Sequence, residues 1–315
     1  MDGGALMTGI EVRGATKRYG ALTAVDDLSF TVREGAVTAF LGPNGAGKTT
    51  TMRMMVGHIT PTSGSVTIGG RRYRDIPRPT TVVGAAFDAG SFHPQHTARD
   101  HLRIYAAMGG HPDARVAELL ALLALTEAAG RRTATFSTGM RQRLNLATAL
   151  LGDPRVLLLD EPGNGLDPQG MAWLRAFLRG LAEEGRTVLV SSHALGEMEQ
   201  FADDVVVIGR GRLVTAGPLA ELAGAAHAVL VRTPDATGLT KTLAGAGHRV
   251  EALGPQELRV RGLDAAGVGD LAALEGLRIH GLTTEHLGLE QLFLELTGPP
   301  GATGPGTPAD GRSTP

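Results

Sequence analysis

The sequence predicts an α/β fold with a mainly helical insertion, followed by a small C-terminal α+β domain. Three observations support this prediction. Short apolar runs alternate with helical segments from residue 10 to about residue 214, nearly everything between residues 97 and 151 has a helical period, and a second alternation begins after Pro218. Continuous apolar runs separated by helices are typical of parallel strands buried on both faces. The first segment is therefore expected to be an α/β domain.

The individual elements follow from the same periodicity. In the first domain we expect strands at residues 10–13, 28–32, 37–41, 65–68, 82–87, 156–159, 187–190 and 205–208, and helices at 48–56, 97–108, 113–128 and 138–151. In the second we expect strands at residues 228–232, 249–252, 258–261 and 278–282, and helices at 239–246, 265–274 and 289–296. The expected domains are residues 1–222, with a helical subdomain at about 97–151, and residues 226–297. Residues 298–315 are mostly Gly, Pro, Thr and Ala, so they are expected to form a disordered tail.

Composition excludes several classes of protein. The 315 residues are 42% hydrophobic and 20% charged with a net charge of −2, which is ordinary for a core-forming protein and shows no overall bias towards nucleic acid. Cysteine is absent, which rules out disulfides and thiolate metal sites. The first nine residues do not resemble a signal peptide. No run approaches the ~18 apolar residues that span a bilayer, so we expect that the chain does not cross a membrane by itself.

The most informative segment directly follows the apolar run at residues 37–41. It consists of Gly42, Pro43, Asn44, Gly45, Ala46, Gly47, Lys48 and Thr49, and Thr50 follows. A strand, a glycine-rich turn and a helix in this order form a phosphate-binding loop, in which backbone N–H groups face phosphate oxygens. Lys48 is placed to reach the β- and γ-phosphates, and Thr49 to ligate Mg²⁺. The loop predicts nucleoside triphosphate binding; a chance match or an inactive relative is the alternative.

Two adjacent acids at the end of another apolar run complete a hydrolytic site. Residues 155–161 read Arg-Val-Leu-Leu-Leu-Asp-Glu, which predicts a buried strand that ends at Asp160 and Glu161. Ligands bind at the carboxyl ends of parallel strands. Asp160 is expected to hold Mg²⁺, and Glu161 to orient or deprotonate the attacking water. The alternative is a strand that ends in acids only for solubility.

Further motifs, in a characteristic order, make the resemblance specific. They are the signature-like run Phe136-Ser137-Thr138-Gly139-Met140, the loop Gly165-Leu166-Asp167, a histidine at His193 and an aromatic residue at Tyr19. Together with the phosphate loop, they resemble the nucleotide-binding subunit of ATP-binding cassette (ABC) transporters, of the antibiotic or multidrug exporter type. The resemblance covers roughly residues 10–222. It implies a P-loop NTPase (RecA-like) ABC ATPase core that binds ATP and Mg²⁺.

The same resemblance implies roles for these residues. Ser137 and Gly139 would face the γ-phosphate held by the opposite subunit, so that a head-to-tail homodimer encloses two ATP molecules. His193 would contact the γ-phosphate, and Tyr19 would stack on adenine. Packing or structural roles are the alternatives for these last two residues.

The chain also departs from the family pattern. Thr138 replaces a glycine of the signature and Met140 replaces a glutamine, so we expect slower or altered hydrolysis at most. Asp88 stands at the position of the phosphate-sensing glutamine. It is expected either to ligate Mg²⁺ or orient water, or merely to cap a loop.

Two other features are tempting but less informative. His93, His96 and His101 lack the spacing that places ligands on one helical face, so a metal site is not favoured. Arg71, Arg72, Arg74 and Arg78 form a basic loop that could touch lipid headgroups or a partner. A solvated loop is the favoured interpretation there.

The leading functional hypothesis is an ATPase subunit that drives an exporter. It would need a separate multi-span membrane permease, would lie on the cytoplasmic face of the membrane, and would contact that permease through a groove that includes residues 88–102. The alternative is a soluble ABC ATPase that acts on ribosomes or DNA. The chain has one cassette, no zinc-binding cysteines and no heptad array, so no nucleic acid partner is expected. A hydrolysis-dead regulatory subunit is disfavoured by the intact Lys48, Asp160, Glu161 and His193.

Overall fold

The computed structural model describes residues 9–87, 92–225 and 227–286. Its strands are β1 (Ile10–Tyr19), β2 (Leu22–Val32), β3 (Val37–Leu41), β4 (Ser63–Ile68), β5 (Val83–Ala86), β6 (Val156–Asp160), β7 (Thr187–Ser192), β8 (Asp204–Gly209), β9 (Arg212–Pro218), β10 (His227–Arg232), β11 (Arg249–Gly254), β12 (Glu257–Arg261) and β13 (Gly281–His286). Its α-helices are α1 (Lys48–Met55), α2 (Ala98–Gly109), α3 (Ala114–Leu122), α4 (Thr138–Ala149), α5 (Pro168–Glu183), α6 (Leu195–Met198), α7 (Leu219–Ala225), α8 (Ala236–Gly245) and α9 (Ala265–Leu274).

A six-stranded sheet in the order β5-β6-β7-β3-β8-β9 forms the centre of the first domain. The first five strands pair in parallel, and β9 pairs antiparallel with β8 at the edge. Alternate residues enter two cores: Leu157 and Leu159 pack with the helical side, whereas Val156 and Leu158 pack with α1 and the antiparallel strands. This double burial accounts for the continuous apolar runs in the sequence.

A separate antiparallel sheet, in the order β2-β1-β4, packs on the side of α1. Both β1 and β2 are much longer than the expected strands at residues 10–13 and 28–32. Register shifts interrupt the pairing of β1 with β2 between Val12 and Ala15, where Gly14 has a positive φ of 55°, and again on both sides of Lys17. Such bulges break the two-residue alternation on which the prediction relied.

The helical subdomain contains α2, α3 and α4. The helix expected at residues 113–128 is wrong in its second half, because α3 ends at Leu122. Ala124 has a left-handed φ of 54°, and the Leu125 N–H returns to the Leu120 carbonyl at 2.7 Å. The apolar residues Leu123 and Leu125 still enter the core, which is why the sequence pattern continued past the end of the helix.

Two elements at the end of the first domain, β9 and α7, had not been expected. β9 is an exposed edge strand in which apolar and polar residues do not alternate cleanly, so its sequence carries little periodic signal. α7 follows directly, and its first residue, Leu219, is buried in the core on the helical side of the sheet.

The second domain is a four-stranded antiparallel sheet in the order β11-β12-β10-β13. The chain order β10-α8-β11-β12-α9-β13 makes it a split βαβ arrangement of the ferredoxin-like type. Its core cluster includes Val229, Leu243, Leu258 and Val268 and is separate from the two cores of the first domain. The strand expected at residues 278–282 begins later, at Gly281. The expected helix 289–296 and tail 298–315 lie outside the described residues.

Candidate nucleotide site

The phosphate loop lies between the end of β3 and the start of α1. Gly47 caps α1 with a φ of 104°, and a Cβ on it would lie 2.6 Å from the Ala24 carbonyl oxygen of β2. A Cβ on Gly42 would lie 2.6 Å from the Ile208 carbonyl oxygen. The loop is therefore pressed against two neighbouring strands, and only glycine fits at these positions. The first N–H groups of α1 have no acceptor within the helix and suit an anion.

Lys48, the first residue of α1, is buried, with 6% of its side chain exposed. Its Nζ donates a hydrogen bond to the Gly42 carbonyl at 2.6 Å and lies 3.2 Å from Glu161 Oε1. A buried ammonium group needs such partners because its desolvation is costly. The structure thus brings together Lys48 of the phosphate loop and Glu161 of the second motif.

A chain of hydroxyl and carboxylate oxygens lies beside the lysine. Thr49 Oγ1 donates to Asp160 Oδ2 at 2.7 Å, and Ser191 Oγ donates to Asp160 Oδ1 at 2.6 Å. Hard oxygen donors of this kind are what Mg²⁺ prefers, and a nucleotide-bound Mg²⁺ needs only one or two protein ligands besides phosphate and water. The donor set of Thr49 and Asp160 therefore fits Mg²⁺.

Glu161 directly follows β6 and has a left-handed φ of 49°, which is uncommon for a residue with a side chain. Its N–H donates to Ser191 Oγ at 2.9 Å, and its Oε2 lies 3.0 Å from His193 Nδ1. The carboxylate is thus held between Lys48 and His193, directly after Asp160. This sharp turn gives two adjacent acids different neighbours, which two roles in one reaction require.

Ser191 is a site residue that the sequence did not reveal. It is the register partner of Asp160 between β6 and β7, and its hydroxyl connects the two acids. The available signal was the polar pair Ser191-Ser192 at the end of the apolar run, just before His193.

The signature-like segment begins α4, where Ser137 is the N-cap and its Oγ accepts from the Met140 N–H at 3.3 Å. Thr138, which replaces the glycine of the signature, fits because it faces Gly165. A Cβ at Gly165 would lie only 2.9 Å from Thr138 Cγ2. Gln142 Nε2 donates to the Asn164 carbonyl at 3.4 Å. The signature helix therefore contacts the loop that follows Glu161.

The other expected site residues lie apart from this cluster. Among the described residues, no hydrogen bond or ion pair connects Tyr19, Ser137 or Gly139 with Lys48 or Glu161. Tyr19 is 47% exposed at the β1–β2 turn, and Lys17 Nζ lies 5.0 Å from its ring centroid. Asp88 lies outside the described residues.

His93, His96 and His101 contact other aromatic or hydroxyl groups. The rings of His93 and His96 stack with centroids 4.2 Å apart. His101 is buried, and its Nε2 lies 3.0 Å from Thr148 Oγ1. In the described part of the chain, no group of three or more His, Cys, Asp or Glu residues could hold a metal ion.

Comparison with known proteins decides the family. The sequence pattern of the ABC transporter family matches residues 25–164, which include the phosphate loop and both acids. Over 296 residues the chain is 34% identical to YhcH of Bacillus subtilis (strain 168), an uncharacterized ABC transporter ATP-binding protein, and the match covers 93% of this chain and 97% of YhcH. This chain belongs to the ABC transporter ATP-binding proteins. The predicted family, its P-loop NTPase fold and its ATPase activity are thereby confirmed.

Two further similarities concern the cassette, the part of this ABC subunit that binds ATP. The chain is 40% identical over 223 residues to the bacitracin transport ATP-binding protein BcrA of Bacillus licheniformis, covering 69% of this chain and 72% of BcrA. The solved dimeric structure of MJ0796, a bacterial ABC transporter cassette, superposes with a TM-score of 0.61 at 24% identity, covering 67% of this chain and 98% of that one. Residues 227–290 match a domain of unknown function.

Within residues 9–87, 92–225 and 227–286, no helix combines the length and the apolar character that crossing a bilayer needs.

Proposed function

We propose that this ABC subunit hydrolyses MgATP in a homodimer and thereby drives a separate membrane permease that exports a drug or antibiotic-like molecule. The observation that carries the proposal is the position of Glu161. Its carboxylate lies between Lys48 and His193 and next to the Thr49–Asp160 pair. A base between a phosphate-binding lysine and a Mg²⁺-binding pair suits attack of water on a γ-phosphate.

Each residue has a defined task in this proposal. Lys48 exchanges its contact with Glu161 for phosphate oxygens when ATP binds, which leaves the carboxylate of Glu161 available to orient the attacking water. Thr49 and Asp160 would hold Mg²⁺, which supplies charge neutralisation between the β- and γ-phosphates. Ser191 fixes the positions of the Asp160 carboxylate and the Glu161 backbone through its two hydrogen bonds. His193 holds the other oxygen of Glu161.

The proposed dimer would use the residues that lie apart from this cluster. Ser137 and Gly139 begin α4 and line an open groove with Leu166, Asp167 and Trp173. A helix start at such a groove can accept the γ-phosphate of a second subunit. The MJ0796 cassette was solved as a dimer, which supports a dimer for this chain; with identical chains both composite sites would be alike.

A second groove, of about 350 Å³, offers a docking place for the permease. It lies between the sheet side, with His58, Tyr73 and Phe87, and the helical side, with Tyr105 and Met108. Of the expected segment 88–102, the described residues 92–102 do not line it; the groove is lined by residues before and after this segment.

The subunit would then lie on the cytoplasmic face of the membrane. Similarity to the bacitracin transport protein supports an antibiotic-like cargo.

The decisive experiment is co-purification from native membranes. The tagged chain is extracted in mild detergent, with cells that carry the untagged chain as the control. We expect a multi-span membrane protein at about equal amounts, and we expect cells that carry the Glu161→Gln variant to become more sensitive to peptide antibiotics. Recovery only from the soluble fraction, with ribosomes or DNA, would replace the exporter with the soluble ATPase alternative.

A further inference from the structure

The basic segment, residues 71–78, forms one wall of a cleft that the nucleotide site does not use. The segment holds four arginines and one aspartate in a chain whose net charge is −2. The cleft has a volume of about 270 Å³ and lies between this segment, the end of α1 and the start of β4. Its polar lining consists of Arg72, Arg74 and the hydroxyl residues Thr60, Thr62, Ser63 and Ser65. No carboxylate belongs to its described lining.

The backbone that carries Arg72 and Arg74 is fixed by packing and by a short helical turn. Tyr73 and Ile76 pack against the core on the side of α1, and Ile76 is buried. A single 3₁₀ turn over Tyr73–Asp75 fixes the chain between them, with the Asp75 N–H bonded to the Arg72 carbonyl at 2.9 Å. Because these contacts fix the backbone, the side chains of Arg72 and Arg74 start from defined positions.

Their positive charge is poorly neutralised. Arg74 Nε lies 3.8 Å from Asp75 Oδ1, and both side chains are mostly exposed, so this pair contributes little. Within the described residues, Arg71, Arg72 and Arg78 take part in no ion pair. Lys17 does not line the cleft, but its Nζ donates to the carbonyl of Thr60, a residue of the lining, at 2.9 Å.

The cleft is separate from the phosphate loop. α1 begins at the phosphate loop and ends at the cleft, so its eight residues separate the two by about 12 Å. A helix C-terminus carries partial negative charge. Attraction of an anion to this end of α1 must therefore come from the arginines, and not from the helix.

We propose that this cleft binds the phosphate group of an anionic phospholipid headgroup. Guanidinium groups match phosphate oxygens in a fork geometry, and the four hydroxyl residues add hydrogen-bond donors. Met54, Ile59 and Val66 supply apolar walls for the glycerol part. A nucleic acid backbone needs a longer basic surface than these few residues provide. A transporter subunit works beside a membrane, whose anionic lipids attract basic segments.

The position of the segment supports a membrane-proximal role. Within the basic segment, Tyr73 lines the proposed permease groove, whereas its neighbours Arg72 and Arg74 line the cleft. The choice of a membrane lipid and this position beside the groove both rest on the proposed function. Binding of the isolated chain to lipid does not require a permease, so the two proposals can fail independently.

The test measures co-sedimentation of the purified chain with phosphatidylcholine vesicles that contain phosphatidylglycerol. The Arg72→Ala/Arg74→Ala variant should bind about thirty-fold more weakly, because each arginine near an anionic surface contributes ~1 kcal/mol. The Arg72→Lys/Arg74→Lys variant keeps the charge but not the guanidinium fork, so its binding should lie between that of the unmodified chain and that of the alanine variant. The control Arg249→Ala/Arg278→Ala removes two exposed arginines from the second domain and should bind like the unmodified chain. Equal melting temperatures would show that the variants are folded.

Several outcomes would overturn the proposal. One is undiminished binding by the Arg72→Ala/Arg74→Ala variant, and another is an equal loss in the control variant. Equal binding to vesicles of phosphatidylcholine alone would remove the role of anionic charge. Binding of inorganic phosphate or glycerol phosphate without any binding to vesicles would show a soluble anion site and exclude the membrane.

Discussion

Glu161 is the residue at which the contacts of the site converge. Its two carboxylate oxygens have different partners, Lys48 at 3.2 Å and His193 at 3.0 Å, and its N–H is held by Ser191. Its left-handed φ places it in a strained backbone region of the kind that is often found at functional sites. Removing its charge therefore tests the mechanism with little change of shape.

We predict that Glu161→Gln keeps ATP binding but lowers turnover by at least ~100-fold, as expected for loss of a general base. Because ATP is then bound and not consumed, the variant should accumulate as a dimer. Turnover assays and size-exclusion chromatography with saturating MgATP measure both effects. Glu183→Gln, an exposed glutamate on α5, is a suitable control. A variant that stays monomeric with saturating ATP would contradict the two-ATP dimer.

Local motifs in the sequence identify candidate site residues that are contiguous, but they do not reveal a contact that depends on strand pairing. The phosphate loop, Asp160 and Glu161 follow from runs of contiguous residues. Ser191 acts only because β6 and β7 are neighbours in register, with Asp160 opposite Ser191. The polar pair Ser191-Ser192 marks the end of the apolar run but does not indicate which residue of another strand it will face.

At the scale of elements, prediction succeeded where burial and periodicity agree. The buried strands β3, β6, β7 and β8 lie where the apolar runs placed them. It failed at α3, where Leu123 and Leu125 keep the apolar pattern after the helix has ended. It also failed at β9, an exposed edge strand. Apolar residues can enter the core beyond the end of a helix, and an edge strand lacks a buried face. Periodicity alone therefore cannot locate the end of α3 or detect β9.

A pH-dependent prediction concerns α2. Burial lowers the pKa of His101 to about 4, and the positive charge of His96 adds to this effect. The unfolded chain, with an ordinary histidine pKa of about 6.5, binds more protons between these values. Stability should therefore be complete above pH ~6.5 and fall as the pH decreases towards ~4.

The measurement is the free energy of unfolding at a series of pH values between about 7.5 and about 4.5, which covers most of this window. His101→Gln, which does not titrate and can still reach Thr148, should flatten the pH dependence. His248→Gln in the second domain is the control. Identical slopes for His101→Gln and the unmodified chain would show that His101 does not titrate differently in the folded state.

At the scale of the whole molecule, the cores divide the chain. The two clusters on either side of the parallel sheet share no residue with the cluster of the second domain. Every described residue of the Lys48–Glu161 site belongs to the first domain. ATP hydrolysis should consequently depend on residues before β10, and the second domain should serve another purpose.

We predict that a chain ending at Ala225 keeps the melting temperature and the basal ATP turnover of the full chain. This cut removes the core of the second domain and leaves both cores of the first domain complete. The matched control ends at Pro218 and also removes α7, whose Leu219 is buried in the first core with 8% exposure. Loss of a buried leucine costs roughly 2–5 kcal/mol, so this shorter chain should melt at a lower temperature. Thermal unfolding and phosphate release compare the three proteins. If the chain ending at Ala225 lost turnover as well, the second domain would have to complete the fold or the dimer of the cassette.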